Sequence, residues 1–374
     1  MKNKRVVIFA PWMPEYRVKF YENLVELGRQ SNVDYIILSS PPPKFASGRN
    51  DNVTNLNFVK YIKALNFEIG SRSVEIQNFC YAFMKADFFV LEHSIRSLMM
   101  YFVLIFRRRK LIFWGHSRTY TKKKSFIEER FKLLIARRAK LYLVYTEEGK
   151  NFLILNGLDP SRVQVVQNST DIHRFDVPEH SLNSPTSEAL LSRIEFTPPT
   201  CIFLGSLVDE KRLDILIACA HEIKKSVSDF SLLIFGDGPL RNFVISEQTS
   251  WIRYGGRATS DILKACSQNS KLILNPGLTG LVAVDSFALG LPLVTTMWKF
   301  HAPEFYYLEN NVNSVITDPT IESYSNAVIQ ILQNPEDLSR LRQQCLVEAK
   351  SFGVENMARN FHNGVTRTLS ENTW

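Results

Sequence analysis

Four short glycine-bearing turns in the second half of this 374-residue chain carry residue types that could hold an anion. GSLVDEK (205–211) brings Lys211 to the start of a helical segment, GDGP (236–239) follows an apolar run, and GGR (255–257) adds Arg257. The fourth, NPGLTGL (275–281), leads directly into VAVDSFAL, which bears one carboxylate, Asp285. Gly205, Gly236, Gly277 and Gly280 allow close backbone approach to a ligand, and exposed amides at a helix start attract phosphate. Taken singly, GDGP is an ordinary turn, Lys211 a solvated helix-end charge and Asp285 a carboxylate that complements a helix dipole. Four such turns at one edge of one domain describe a nucleotide-diphosphate site. Its phosphates would lie on the amides of Thr279, Gly280, Leu281 and Val282, and Asp285 would accept hydrogen bonds from ribose hydroxyls.

Elements must bring these turns together. TCIFLGS (200–206), FSLLIFGDG (230–238), WIRYGG (251–256), KLILNPG (271–277) and PLVTTM (292–297) are predicted strands, and LDILIACAHEIKKS (213–226) is a predicted helix. The first half alternates in the same way. Its strands are expected at 5–11, 33–40, 86–92, 110–115 and 141–146, and its helices at 16–30, 94–109 and 126–140. Such spacing implies βαβ units and parallel sheets, with ligands outside the carboxyl ends of the strands. Residues 176–199, rich in Ser, Pro and Glu, interrupt the rhythm. The expected organisation is a Rossmann-like domain over 1–170, a linker over 171–199 and a second Rossmann-like domain over 200–350. A C-terminal helix over 351–374 would pack back on the first domain. The fold class is therefore α/β, two Rossmann-like domains facing across a cleft.

Bulk properties narrow the function further. The five cysteines are scattered and form no CxxC, which argues against a disulfide framework or a zinc site and for a reducing compartment. The run Val6–Ala10 is too short for a signal-peptide core, and LMMYFVLIF (98–106) is about half of what a spanning helix needs. A chain that is soluble or sits on a membrane is expected. Charge is lopsided: residues 1–175 carry a net +14 and the remainder −6. That field says the first half meets something anionic.

FLGSLVDEKRLDILI, LLIFGDGP, WIRYGG and NPGLTGLVAVDSFALGLPLVTT, in that order, resemble the C-terminal domain of retaining glycosyltransferases of the GT-B fold, family 4 type (glycosyl transferases group 1). VQVVQNSTDIHRF (163–175) resembles the segment leading into that domain, and KLIFWGHSR (110–118) the loop supplying a sugar-facing histidine. The resemblance implies that Lys211 meets the diphosphate, Asp285 is the second carboxylate of E-x7-E and binds ribose, and His116 lies near the transferred sugar. Arg257 would border the nucleobase. Two positions depart from the pattern: Gly277 replaces the first glutamate of E-x7-E, and Ser206 replaces a phosphate-binding arginine. The resemblance also makes 1–170 the acceptor-binding domain and 200–350 the nucleotide-sugar-binding domain. The implied reaction is sugar transfer from a UDP- or GDP-sugar to a hydroxyl with retained configuration. Lys211, the helix amides and Ser206 would stabilise the leaving diphosphate without a metal or cofactor. An epimerase on the same fold, and a nucleotide-sugar-binding subunit without activity, are the alternatives.

The basic half suggests where such a reaction takes place. Arg107, Arg108, Arg109, Lys122, Lys123, Lys124, Arg137 and Arg138 lie among aromatic residues. FIEERFKLLIARRAK (126–140) has helical apolar periodicity, which fits either a core helix with a solvated face or a helix docked on an anionic membrane. No nucleic-acid-binding module is recognisable, so nucleic acid is not an expected partner. The expected acceptor is a glycan or an undecaprenyl-diphosphate-linked one, met by a cytoplasmic protein peripheral on the inner membrane face. Bacterial surface-polysaccharide synthesis (lipopolysaccharide O-antigen or capsule) would use such an enzyme.

Overall fold

A computed structural model describes residues 3–42, 51–69, 72–95, 97–120, 126–177 and 200–371. Two compact units emerge: residues 1–171 with 354–374, and residues 172–353.

The first unit is built on a seven-stranded parallel sheet: β1 (Lys4–Ala10), β2 (Val33–Ser39), β3 (Val59–Tyr61), β6 (Phe88–Glu92), β7 (Leu111–Gly115), β8 (Leu141–Val144) and β9 (Val163–Val165). Spatial order is β3-β2-β1-β6-β7-β8-β9, so the winding reverses between β1 and β6. Near-continuous apolar runs such as VVIFA are what a strand covered on both faces requires. Two cores flank the sheet. Helices α1 (Glu15–Gln30), α2 (Leu98–Phe106), α3 (Phe126–Ala136) and α4 (Glu147–Leu155) connect the strands. The C-terminal helix (Val354–Ser370) returns to this unit and buries Met357, Phe361 and Val365 in the core beside α1.

The expected helix over 94–109 is shorter. Ser97 caps it by accepting from the Met100 N–H, and the arginine run continues as a 3-10 turn over Arg108–Lys110. The expected helix over 126–140 stops at Ala136. An antiparallel pair, β4 (Ala64–Ile69) and β5 (Arg72–Gln77), was not anticipated from the sequence.

The second unit holds six parallel strands: β10 (Cys201–Leu204), β11 (Leu232–Phe235), β12 (Ile252–Gly256), β13 (Leu272–Leu274), β14 (Leu293–Thr296) and β15 (Ser314–Thr317). Their order is β12-β11-β10-β13-β14-β15, so the reversal falls between β10 and β13. Helices α5 (Leu213–Ser226), α6 (Arg241–Ser246), α7 (Ser260–Asn269), α8 (Val282–Leu289), α9 (Ile321–Gln333) and α10 (Pro335–Ala349) complete it. α8 is apolar along most of its length and buried on nearly every side, which fixes its N-terminus relative to the sheet. Both units are Rossmann-like α/β domains.

Candidate functional site

At the reversal point of the second unit, the turn after β10 meets the turn after β13. Lys211 is buried there, and its ammonium donates to the Leu278 carbonyl at 2.6 Å. The Leu278 N–H donates to the Glu210 carbonyl at 2.7 Å, so the two turns are clamped together. Burial pulls the Lys211 pKa down to about 8. A Cβ on Gly277 would lie 2.4 Å from the Glu210 carbonyl oxygen and 2.5 Å from the Lys211 carbonyl carbon. That close approach is the physical reason for glycine at 277, where the family resemblance leads one to expect glutamate. Gly205 packs against the Lys211 amine, and a Cβ on Gly236 would strike the Gly205 carbonyl oxygen at 1.8 Å. Three of the expected glycines thus let three turns share one small space with Lys211.

The amides above this lysine fall into two groups. Thr279 N–H donates to His301 Nδ1 at 3.0 Å, which removes it from the amides expected to face a phosphate. The N–H groups of Gly280, Leu281 and Val282 have no acceptor among the described residues; they are the unsatisfied donors of the α8 N-terminus. His301 was not singled out in the sequence. Its other nitrogen donates to the Thr296 carbonyl at 3.0 Å, and its ring stacks on Phe305 with centroids 3.9 Å apart. Burial holds its pKa down to about 4; the Thr296 hydrogen bond opposes this, and the nearby Lys211 charge adds a smaller downward push. The neutral tautomer with Nε2–H is therefore fixed from both sides. The buried carboxylate of Glu304 faces Gly280 from the same segment, HAPEF (301–305).

Asp285, nearly buried on α8, accepts from Arg174 Nη2 at 2.6 Å. Arg174 comes from the 3-10 turn Ile172–Phe175, whose Phe175 is buried in the core beneath and lies under the guanidinium. Arg257 pairs with Asp237 of the GDGP turn at 3.6 Å, and both are half exposed. Ser206 is exposed beside Gly205. Thus Gly205, Ser206, Gly236, Arg257, Gly277, Gly280, Leu281, Val282 and Lys211 line the carboxyl edge of one sheet, and Asp285 is oriented by an arginine that sequence reasoning passed over.

His116 belongs to the first unit, one residue beyond β7. Its ring stands edge-on to Tyr145 at 5.0 Å. Tyr142 spends its one hydroxyl proton on the His116 carbonyl at 2.7 Å, so His93 Nδ1, 2.9 Å away, must donate to that hydroxyl. His116 is an exposed residue whose ring packs against Tyr120 and Tyr145, and it feels the buried cations Lys132 and Arg17. Desolvation first and these two charges next lower its pKa to about 4, so it is neutral near pH 7. Arg17 lies over Trp114 and Tyr145, donates to Met357 Sδ at 3.2 Å and bonds Asn168 Oδ1.

Of the basic residues, Arg107 is half-buried against the Phe83 ring, and Arg108, Arg109 and Arg138 are exposed. Arg137, also exposed, donates to the Asn156 carbonyl at 2.7 Å. Lys122, Lys123 and Lys124 lie outside the described residues. Among the described residues no cluster of His, Cys, Asp and Glu has metal-holding geometry, and no helix is long and apolar enough to cross a membrane.

Residues 198–334 match the family model of glycosyl transferases group 1. A sequence comparison with curated proteins gives no match. A glycosyltransferase from Rickettsia africae ESF-5 has a similar structure, with TM-score 0.71, 13% identity and complete coverage of both chains. Anabaena HepE in complex with UDP-glucose gives 0.66 at 12% identity, covering 99% of this chain and 100% of that one. A putative UDP-N-acetylglucosamine 2-epimerase from Listeria monocytogenes gives 0.65 at 15%, covering 99% and 98%. At these identities the likeness is one of fold, the two-domain GT-B fold. Together with the family match over the second unit, it supports glycosyltransferase as the class of this chain.

Proposed function

We propose that the chain is a retaining, metal-independent glycosyltransferase that moves a sugar from a UDP- or GDP-sugar to a hydroxyl. The observation that carries this proposal is Lys211. Its ammonium is held at the strand-order reversal, in the turns that lead to three acceptorless amides on the α8 N-terminus. A diphosphate laid there would gain a charge-assisted contact and the helix-end amides together. Asp285, oriented by Arg174, would take the ribose hydroxyls, and Arg257 would border the base. Neutral His116 would orient the sugar by hydrogen bonding rather than by proton transfer. HepE, of the same fold, is described in complex with UDP-glucose, which favours a nucleotide-sugar donor. The acceptor is a glycan or an undecaprenyl-diphosphate-linked one at the inner membrane face, in bacterial surface-polysaccharide synthesis.

Gly277 favours a second reading. A glutamate there would require the 209–211 turn to move, so the chain lacks one carboxylate that the resemblance leads one to expect, and Ser206 lacks a charge. A nucleotide-sugar-binding subunit without turnover would tolerate both. The test is to incubate the protein with UDP- and GDP-sugars and an acceptor extract, following nucleotide release and the anomeric proton of the product by NMR. Release with retained configuration supports transfer. Binding without release supports the second reading, and a free C2-inverted sugar nucleotide would indicate epimerase chemistry.

A further inference from the structure

Helix α3 is built inside out. Its one lysine, Lys132, is 8% exposed, whereas Phe126, Ile127, Phe131 and Leu134 are 72, 80, 46 and 58% exposed. A surface helix of a globular domain turns its apolar stripe to the core and its charges to water. Here Ile135 and Ala136 reach the core while the phenylalanines face out. The apolar exposure continues onto neighbouring elements: Ile105 and Phe106 at the end of α2, and Leu155 at the end of α4. Two grooves meet at Leu134. One, of about 760 Å³, runs along Phe106 and Ile135; the other, of about 870 Å³, runs along Phe126, Phe152 and Leu155.

Cations rim this apolar ground. Arg107, Arg108, Arg109 and Arg138 line the first groove, and Arg130 and Arg137 the second. Glu129 is the acidic residue among the second groove's lining, and the first has none. A contiguous exposed apolar patch with a rim of one charge marks an interaction surface. A second copy docked on the same face would set these arginines against one another. Nucleic acid would satisfy the arginines but leave the aliphatic and aromatic side chains against a hydrophilic backbone. We propose that the α2–α3–α4 face docks on an anionic lipid bilayer, with α3 lying in the headgroup plane, its phenylalanines at the acyl boundary and its arginines on lipid phosphates. This deepens the membrane part of the proposed function and is independent of the sugar chemistry.

The experiment is co-sedimentation of the full chain with vesicles of phosphatidylglycerol and phosphatidylethanolamine, and with vesicles of phosphatidylcholine alone. The protein is expected on the anionic vesicles and not on the neutral ones, with binding largely lost in about 0.5 M salt, where charges are screened. Phe126→Ser with Ile127→Ser alters only exposed side chains and should weaken binding by about tenfold or more with an unchanged melting curve. Arg108→Gln with Arg109→Gln should weaken it on anionic vesicles. Absence of the wild-type protein from anionic vesicles, or equal binding by the Phe126/Ile127 variant, overturns the proposal. So does a gel-filtration dimer that this variant dissolves, since it would name a second copy as the occupant. Calorimetry with UDP and GDP on the same variants should match the wild type, so failure of the docking face is separable from failure of the nucleotide site.

Discussion

Replacing Lys211 by methionine separates the roles of this buried amine. The side chain is buried and donates to the Leu278 carbonyl, which also accepts from Asn275 Nδ2 at 3.1 Å. Without the amine that carbonyl stays satisfied, and an apolar side chain of similar length fills the space. Removing a buried charge can even stabilise. Stability should therefore change by no more than about 1 kcal/mol. Nucleotide binding should respond differently. One charge-assisted hydrogen bond contributes about 1.5–3 kcal/mol, or roughly 10- to 150-fold in Kd for UDP or GDP. The pH dependence adds a second signature. With its pKa down at about 8 in the free protein, Lys211 loses its charge between pH 7 and 9. The terminal phosphate of the nucleotide, with a pKa near ~6, does not change over that range. The wild-type Kd should rise about tenfold from pH 7 to pH 9, and that of Lys211→Met should stay flat. Isothermal titration calorimetry at three pH values, with thermal melts in parallel, reads both effects. A flat wild-type profile, or a methionine variant that binds as tightly, refutes the assignment of this amine to the phosphates.

Gly277→Ala should lower stability by about 1–3 kcal/mol, because its Cβ meets the Glu210 backbone, and a denaturant titration measures it. Asp285→Asn removes the negative charge paired with Arg174 and one of the two acceptor oxygens, and should weaken nucleotide binding by about tenfold or more; unchanged affinity would remove Asp285 from the ribose. His116→Ala should reduce sugar transfer while leaving UDP or GDP affinity as it is, and this histidine should impose no inflection on the rate between pH 5.5 and 8, given its pKa of about 4. His301 binds its proton near pH 6.5 when unfolded but only near 4 when folded, so stability should fall as pH drops through that window, by up to about 1.4 kcal/mol per unit from this group. His301→Phe should flatten that fall in chemical denaturation at pH 7, 5.5 and 4.5.

Most strands of both sheets were legible because parallel strands buried on two faces are short apolar runs ending in glycine or polar turns, as in CIFLGS and LLIFGDG. β3, β9 and β15, short strands at the sheet edges, were not among the expected ones. Their order was legible only as a class, since which strands neighbour one another depends on crossovers that no local pattern carries. Lys211, the glycines and Asp285 could be found because their turns follow strands. His301, Glu304 and Arg174 could not: HAPEF carries no motif, VQVVQNSTDIHRF resembles the lead into the second domain without marking its arginine, and only folding brings both segments to the α8 N-terminus. The one signal they offered was polar residues beside apolar ones after a strand, which many turns share. Periodicity also left α3 ambiguous. An apolar stripe looks the same whether it faces a core or a bilayer, and the exposure of Phe126 and Ile127 with burial of Lys132 is visible only in three dimensions.

The central claim is a nucleotide-diphosphate site on the second unit, and calorimetric titration of the wild-type protein with UDP and GDP, with and without magnesium, tests it most directly. The account predicts that one of them binds, with an affinity independent of magnesium and abolished or sharply weakened by Asp285→Asn. No heat from either nucleotide, or binding that Asp285→Asn and Lys211→Met leave untouched, would contradict it.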